Sequence, residues 1–357
     1  MYHERIKKVQ AFLKAENLDG LVVTRAASLR YLCGFSSPDG VLVVRTSRAG
    51  FFTDFRYIDQ SRQEVRGAKV TITAGDCIGA LKEQKQLQGR NLRYGYEPEY
   101  LTCDNLTRIQ NGLAGALLIP VNNAVEQFAV TKDATEVGYI RKAAEIADTA
   151  FERILNYIRP GIRENEVRAE LEYQMMTLGS EHPAFETIIA SGRRSAMPHG
   201  VASEKKIAMG DFLTLDFGAT YKGYCCDITR TVVIGKANSR QKKIYGLVLS
   251  AQKAAIKKVK AGVSGKEIDA AARNLIDKAG FKKNFGHGTG HGIGLFIHSK
   301  PNVNAKSQDI MKRGMVITIE PGIYISGWGG VRIEDDVVVT TTGGSVLNKA
   351  PKFLLEI

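Results

Sequence analysis

The sequence predicts two domains, an α/β domain over residues 1–131 and an α+β domain over 132–357 that contains an internal repeat. Three observations carry this. The chain has 357 residues, more than one hydrophobic core usually supports. Up to about residue 130, short apolar strand-like runs alternate with helix-like segments, the pattern of an α/β domain with short connections. From Lys132 the texture changes to long amphipathic helices followed by β-rich sequence, a unit that occurs twice, with one ungapped segment and its glycines repeating at an offset of 101 residues, Gly161 to Gly262.

In the first domain a helix is expected near 2–16, followed by strands at Gly20–Thr24, Val41–Val44 and Gly50–Thr53. A helix is expected over about 55–65, then strands at 70–72 and 92–95 with another helix between them. No Gly-rich phosphate loop and no metal-type cluster appears there. In the second domain Val137, Ile140, Ala144, Ala147, Phe151, Ile154 and Ile158 hold helical spacing, and Pro160-Gly161 stops the helix. A second helix is expected over 164–178.

Ile158-Arg159-Pro160-Gly161-Ile162 before Glu166-Val167 matches Val259-Lys260-Ala261-Gly262-Val263 before Glu267-Ile268 without a gap, and Gly179 matches Gly280. In the second copy Ser264 and Glu267 form a capping-box pattern. Duplicated halves of this kind pack about a pseudo-two-fold axis with a shared cleft. Coincidence between two amphipathic helix pairs is the bland alternative, and the ungapped glycines speak against it.

The repeat continues into strands. Gly210 to Asp216 is echoed by Gly314 to Glu320, each with an acid six residues after the glycine and a threonine two residues before the acid. Leu213, Leu215, Ile317 and Ile319 take the opposite face. A following strand in each half carries a further acid, Asp227 or Glu334. Each hairpin thus contributes two carboxylates. Four carboxylates in an apolar setting raise one another's pKa, and divalent cations resolve the conflict. Any one of these acids alone would be read as a surface ion-pair partner; the set in register is not. Three of six histidines, His287, His291 and His298, lie in one Gly-rich stretch between the hairpins. A carboxylate-rich site with one imidazole suits manganese, cobalt, iron or zinc rather than a thiolate site. His199, 17 residues before Asp216, is balanced between a loop residue and a cleft residue.

Bulk properties exclude several other classes. The 44% apolar and 24% charged content is that of an ordinary globular protein. No stretch approaches the roughly 20 apolar residues needed to span a bilayer, and Met1–Ile6 opens no signal-type apolar run. No membrane partner and a cytoplasmic location are therefore expected. Five cysteines with no C-x-x-C pair read as reduced thiols. The net charge of +13 arises from basic pairs scattered among acids, with no arginine-rich block, so nucleic acid is not the expected partner.

Leu215-Asp216-Phe217-Gly218, Cys226-Asp227-Ile228-Thr229-Arg230-Thr231, Gly290-His291-Gly292-Ile293-Gly294, Thr318-Ile319-Glu320-Pro321-Gly322 and Val331-Arg332-Ile333-Glu334-Asp335 together resemble the pita-bread metallopeptidases, in the aminopeptidase P and prolidase branch. The resemblance covers essentially the whole chain. It implies a creatinase/prolidase-type N-terminal domain with a ribonuclease-H-like fold over 1–131 and a pita-bread catalytic domain over 132–357. It implies Asp227 and Glu334 as bridging ligands of two divalent ions, manganese foremost. Asp216 would bind one ion, with His291 and Glu320 completing the other. His199 and His298 would contact substrate and transition state, His287 would line the proline side, and Arg332 would orient carboxylates. Glu320 would move the proton.

The implied reaction is hydrolysis of the Xaa-Pro bond, in dipeptides or at the N-terminus of longer peptides, by a hydroxide bridging the two ions. A homodimer is implied as well. One departure is Ser299, where the family commonly has glutamate after the histidine; that position is not one of the family's metal ligands, so activity is expected to survive. Methionine aminopeptidases usually lack the large N-terminal domain, and creatinase works without the full metal set. The alternative from another class is a non-catalytic pita-bread module binding protein or nucleic acid, against which the intact ligand set speaks.

Overall fold

The computed structural model describes residues 1–357 and divides into two compact units, Met1–Ala129 and Val130–Ile357. In the first unit α1 (Tyr2–Ala15) buries Ile6, Val9 and Leu13, which recur at helical spacing. It leads to β1 (Gly20–Val23), α2 (Ala26–Cys33), β2 (Val41–Arg45), β3 (Ala49–Asp54), α3 (Ile58–Glu64), β4 (Lys69–Thr73), β5 (Arg93–Tyr96), α4 (Cys103–Gly112), β6 (Leu117–Pro120) and the short α5 (Glu126–Ala129). The six strands form one sheet in the order β4-β3-β2-β1-β5-β6. The β1/β2 and β2/β3 pairs are antiparallel, and the β3/β4, β1/β5 and β5/β6 pairs are parallel.

Two local expectations are corrected in this unit. The first three strands do not follow one another directly, because α2 intervenes and buries Leu29 and Leu32. Between β4 and β5 there is no α-helix but two 3-10 turns, Gly79–Glu83 and Lys85–Leu87. Each buries a single leucine, too little apolar face to hold a longer helix, whose nucleation costs more than one turn returns.

The second unit opens with α6 (Ala134–Ile154), capped reciprocally by Asp133 and Glu136. It ends four residues before the expected Ile158. Pro160 lacks an N–H and crowds the turn before it, so the chain leaves helical geometry early. Next come α7 (Glu164–Thr177), β7 (Ile188–Ser191), β8 (Phe212–Phe217), β9 (Thr220–Tyr221), β10 (Tyr224–Cys225) and β11 (Ile228–Val233). The second copy runs α8 (Ser239–Lys258), α9 (Gly265–Lys278), β12 (Gly290–Gly292), β13 (Ser299–Val303), β14 (Val316–Ile319), β15 (Gly322–Ile325), β16 (Gly329–Arg332), β17 (Asp335–Val339) and β18 (Gly344–Val346).

The duplication is visible in the backbone. Helices α7 and α9 start at equivalent positions, and the glycines before them, Gly161 and Gly262, share left-handed φ values of 88° and 89°. In the first half β8 pairs with β11 around the small β9/β10 ribbon; in the second, β14 pairs with β17 around β15/β16. The sheets are β11-β8-β7 and β13-β12-β14-β17-β18. Ile317 and Ile319 of β14 join a core with Val248 and Ala251 of α8 and Ile268, Ala272 and Ile276 of α9. That apolar backing turns the polar faces of the same strands toward one cleft.

Candidate metal centre

Asp216 lies in β8 beside Thr229 of β11, its register partner. Asp227 immediately precedes β11, Glu320 immediately follows β14, and Glu334 joins β16 to β17. His291 is the middle residue of β12. A side chain added at Gly290 would strike the Thr318 carbonyl, so only glycine lets β12 lie this close to β14. The cleft these elements enclose has a volume of about 450 Å³ and is lined by all five residues together with His199, His287, His298 and Arg332.

Three donors converge tightly: one ligand atom each from Asp227, His291 and Glu334 lies within 4.8 Å of the other two. His291 Nε2 is 3.8 Å from Asp227 Oδ2 and 3.6 Å from Glu320 Oε1. Its Nδ1 is 3.1 Å from the Gly292 carbonyl. A proton on Nδ1 satisfies that carbonyl and leaves the Nε2 lone pair facing two carboxylates, the presentation of a metal-ligating imidazole. Asp216 is held from the side, its Oδ2 accepting from Arg332 Nη2 at 2.5 Å.

The acids are mismatched to their surroundings unless a cation lies among them. Asp216 Oδ1, Asp227 Oδ1 and Glu334 Oε1 are buried and have no hydrogen-bond partner. Burial first, then the charge of Glu334, pushes Asp227 well above the usual carboxylate range. Burial and Glu320 do the same to Glu334. Glu320 rises to about 7, driven by burial against the opposing pull of Arg332. Burial lowers His291 to about 4, with His298 adding to the effect, so the ring is neutral and able to ligate. Orphaned carboxylate oxygens beside a neutral imidazole nitrogen are a donor set that fits divalent metal ions.

The histidines expected to contact substrate separate by environment. His199 and His298 are exposed on the cleft wall, and the His298 ring meets that of His291 edge-on at 4.5 Å. His287 is half-buried, with Nε2 2.9 Å from the Tyr324 hydroxyl and one ring nitrogen 4.0 Å from Glu320 Oε2. Burial lowers its pKa to about 4. Arg332 is buried and donates to Thr229 Oγ1, the Tyr324 hydroxyl and Asp216 Oδ2.

Sequence reasoning missed Tyr324, which joins Arg332 to His287, and Thr229, whose hydroxyl donates to Glu334 Oε2 at 2.6 Å. It also missed Asp336, which accepts the Asp227 backbone N–H at 3.0 Å. Thr229 alternates with Asp227 along one strand and was legible on that ground; the other two carried no signal.

Known proteins carry the same architecture. Residues 138–341 match metallopeptidase family M24, and residues 5–128 match the creatinase/prolidase N-terminal domain. The chain is 37% identical to an Xaa-Pro dipeptidase of Pyrococcus horikoshii over 360 residues, covering 99% of each chain. Its structure is similar to that of an Xaa-Pro dipeptidase from Bacillus anthracis, with a TM-score of 0.95 and 42% identity over the whole of both chains. It is also similar to an X-Pro aminopeptidase from Thermotoga maritima, with a TM-score of 0.89 and 37% identity, covering 96% of this chain and 98% of that one. A cleft of unmatched acids around one neutral imidazole, carried on a fold shared along its full length with these enzymes, places the chain in metallopeptidase family M24, whose members work with divalent metal ions.

Proposed function

We propose that this protein hydrolyses the bond on the amino side of proline, with Asp216, Asp227, His291, Glu320 and Glu334 holding two divalent ions, manganese foremost. The observation that carries the reading is the set of buried, partnerless oxygens on Asp216, Asp227 and Glu334 around His291 Nε2. When bound, the ions supply an acidified water and polarise the scissile carbonyl.

The chain's own residues do the rest. The amide before proline has no N–H, so the site must recognise the bond without that donor. Glu320, at the cleft end of β14, takes the proton of the attacking water and returns it to the proline nitrogen as the bond breaks. His298 and His199, exposed on the wall, donate to the oxyanion, a contribution of about 2.7–4 kcal/mol per donor in well-studied cases. His287 borders the proline ring, its orientation set by Tyr324. Arg332 fixes Asp216 and, through the Tyr324 hydroxyl, the ring of His287.

The catalytic role falls to residues 132–357, with 1–131 as the accessory domain. A homodimer acting in the cytoplasm is the accompanying reading; no helix is long and apolar enough to cross a membrane. The test is metal analysis combined with hydrolysis of Ala-Pro and Ala-Pro-Pro-Ala. Manganese-dependent release of alanine supports the reading, and the ratio of the two rates separates dipeptidase from aminopeptidase action. Metal binding without cleavage of either peptide overturns it.

A further inference from the structure

Glu186 lines the cleft but belongs to no part of the metal centre. It is exposed and makes no hydrogen bond or ion pair. Every other acid lining the cleft is one of the expected ligands. Its place follows from the strands: Ile188 of β7 is the register partner of Asp216, so their side chains are neighbours on one face. Thr187 is fully buried and points away. Glu186, two residues before Ile188, returns to the cleft face about 6.5–7 Å further along.

That distance decides what Glu186 can recognise. The α-amine of an Xaa-Pro substrate is two bonds from the scissile carbonyl carbon and must lie at the metal centre, short of Glu186. A side chain leaving the Xaa residue along the wall reaches it. Phe185, Ile188, Pro198 and Val201 line the same cleft and give it apolar surface beside the exposed His199. An apolar surface ending in a free carboxylate suits a side chain with a long hydrocarbon stem and a cationic head.

Resting on the proline-directed reading above, we propose that Glu186 is a specificity-determining residue that favours lysine or arginine immediately before the proline. The stem lies on Phe185 and Ile188, and the cation meets the Glu186 carboxylate. An acidic Xaa side chain is disfavoured by the same charge.

The test compares Lys-Pro with norleucine-Pro, which keeps the stem and lacks the ammonium, using the metal-loaded full chain. Wild type should show the higher kcat/KM for Lys-Pro. Glu186→Gln should lower the Lys-Pro to norleucine-Pro ratio about two- to five-fold, the range of an exposed charge pair. Glu186→Lys should reverse the order and favour Glu-Pro over Gln-Pro. The wild-type preference should shrink as salt is raised. An identical ratio in wild type and Glu186→Gln overturns the assignment while leaving proline-directed hydrolysis standing. Loss of the function reading looks different: loaded wild type would then cleave neither dipeptide.

Discussion

The backbone N–H of Asp227 donates to Asp336 Oδ2 at 3.0 Å, joining the two halves of the repeat directly behind the metal centre. The other oxygen of Asp336 is buried without a partner, and burial holds its pKa well above the usual carboxylate range. Asp336 therefore fixes the peptide that carries Asp227 without itself reaching the cleft. Asp336→Ala should leave that N–H unpaired and cost about 1–3 kcal/mol of stability. It should also weaken metal binding, as loss of a group supporting a ligand does by about 10–100-fold. Asp336→Asn keeps an acceptor and should recover most of the affinity. Calorimetric metal titration alongside urea unfolding of both variants checks this; equal affinity in Asp336→Ala and wild type would rule it out.

The ligands and the cleft histidines should separate by metal content. Asp227→Ala or Glu334→Ala should lose both bound metal and Xaa-Pro hydrolysis. His298→Ala should keep its metal and lose turnover by about 10²–10³-fold. Elemental analysis paired with a steady-state assay distinguishes the two groups, and normal turnover in Asp227→Ala would remove it from the ligand set.

Arg332 is 4% exposed and reaches three different acceptors from one guanidinium. Arg332→Met should cost about 3–5 kcal/mol, because Asp216 is left buried without its cation. Arg332→Lys should recover only part of this, since one ammonium cannot reproduce the fork that meets Thr229, Tyr324 and Asp216 together. Denaturant midpoints measured in chelator read this difference.

The raised pKa of Glu320 gives a pH dependence with a definite sign. Folding moves the group from 4.5 to about 7, so the folded, cation-free protein keeps a proton that the unfolded chain releases. Its contribution to stability is therefore lost as pH rises from about 4.5 through about 7. Metal binding must expel that proton, so apparent affinity should climb about tenfold per pH unit below 7, and more steeply if Asp227 and Glu334 also give up protons. Melting curves with metal and with chelator should diverge as pH increases from about 5.5 to 7.5. Curves that keep a constant separation would show that no ligand proton is displaced.

Asp216 and Glu320 were legible in the sequence because each follows a repeated glycine by six residues, Asp227 and Glu334 because a further acid follows in each half, and His291 because it lies in a Gly-rich stretch with two other histidines. The supporting groups were not. Tyr324 is an ordinary strand tyrosine until β15 folds back beside Arg332. Asp336 is the second of two adjacent aspartates, a pattern common on surfaces, and its burial depends on the peptide of Asp227, 109 residues away. Glu186 reads as a loop acid because its face is set by the register of Ile188 with Asp216. Helix α2 was missed for a related reason, as eight residues between two strong strands carry too short a period to stand out.

Asp216 and Asp227 come from one copy of the repeat; His291, Glu320 and Glu334 come from the other. With the proposed ligand set, cutting the polypeptide between the copies would leave two donors on one fragment and three on the other, neither a complete coordination sphere. Tight ion capture thus reports that both fragments have docked in native register, so a chelator-sensitive melting transition serves as a direct gauge of whether the duplicated catalytic unit is assembled.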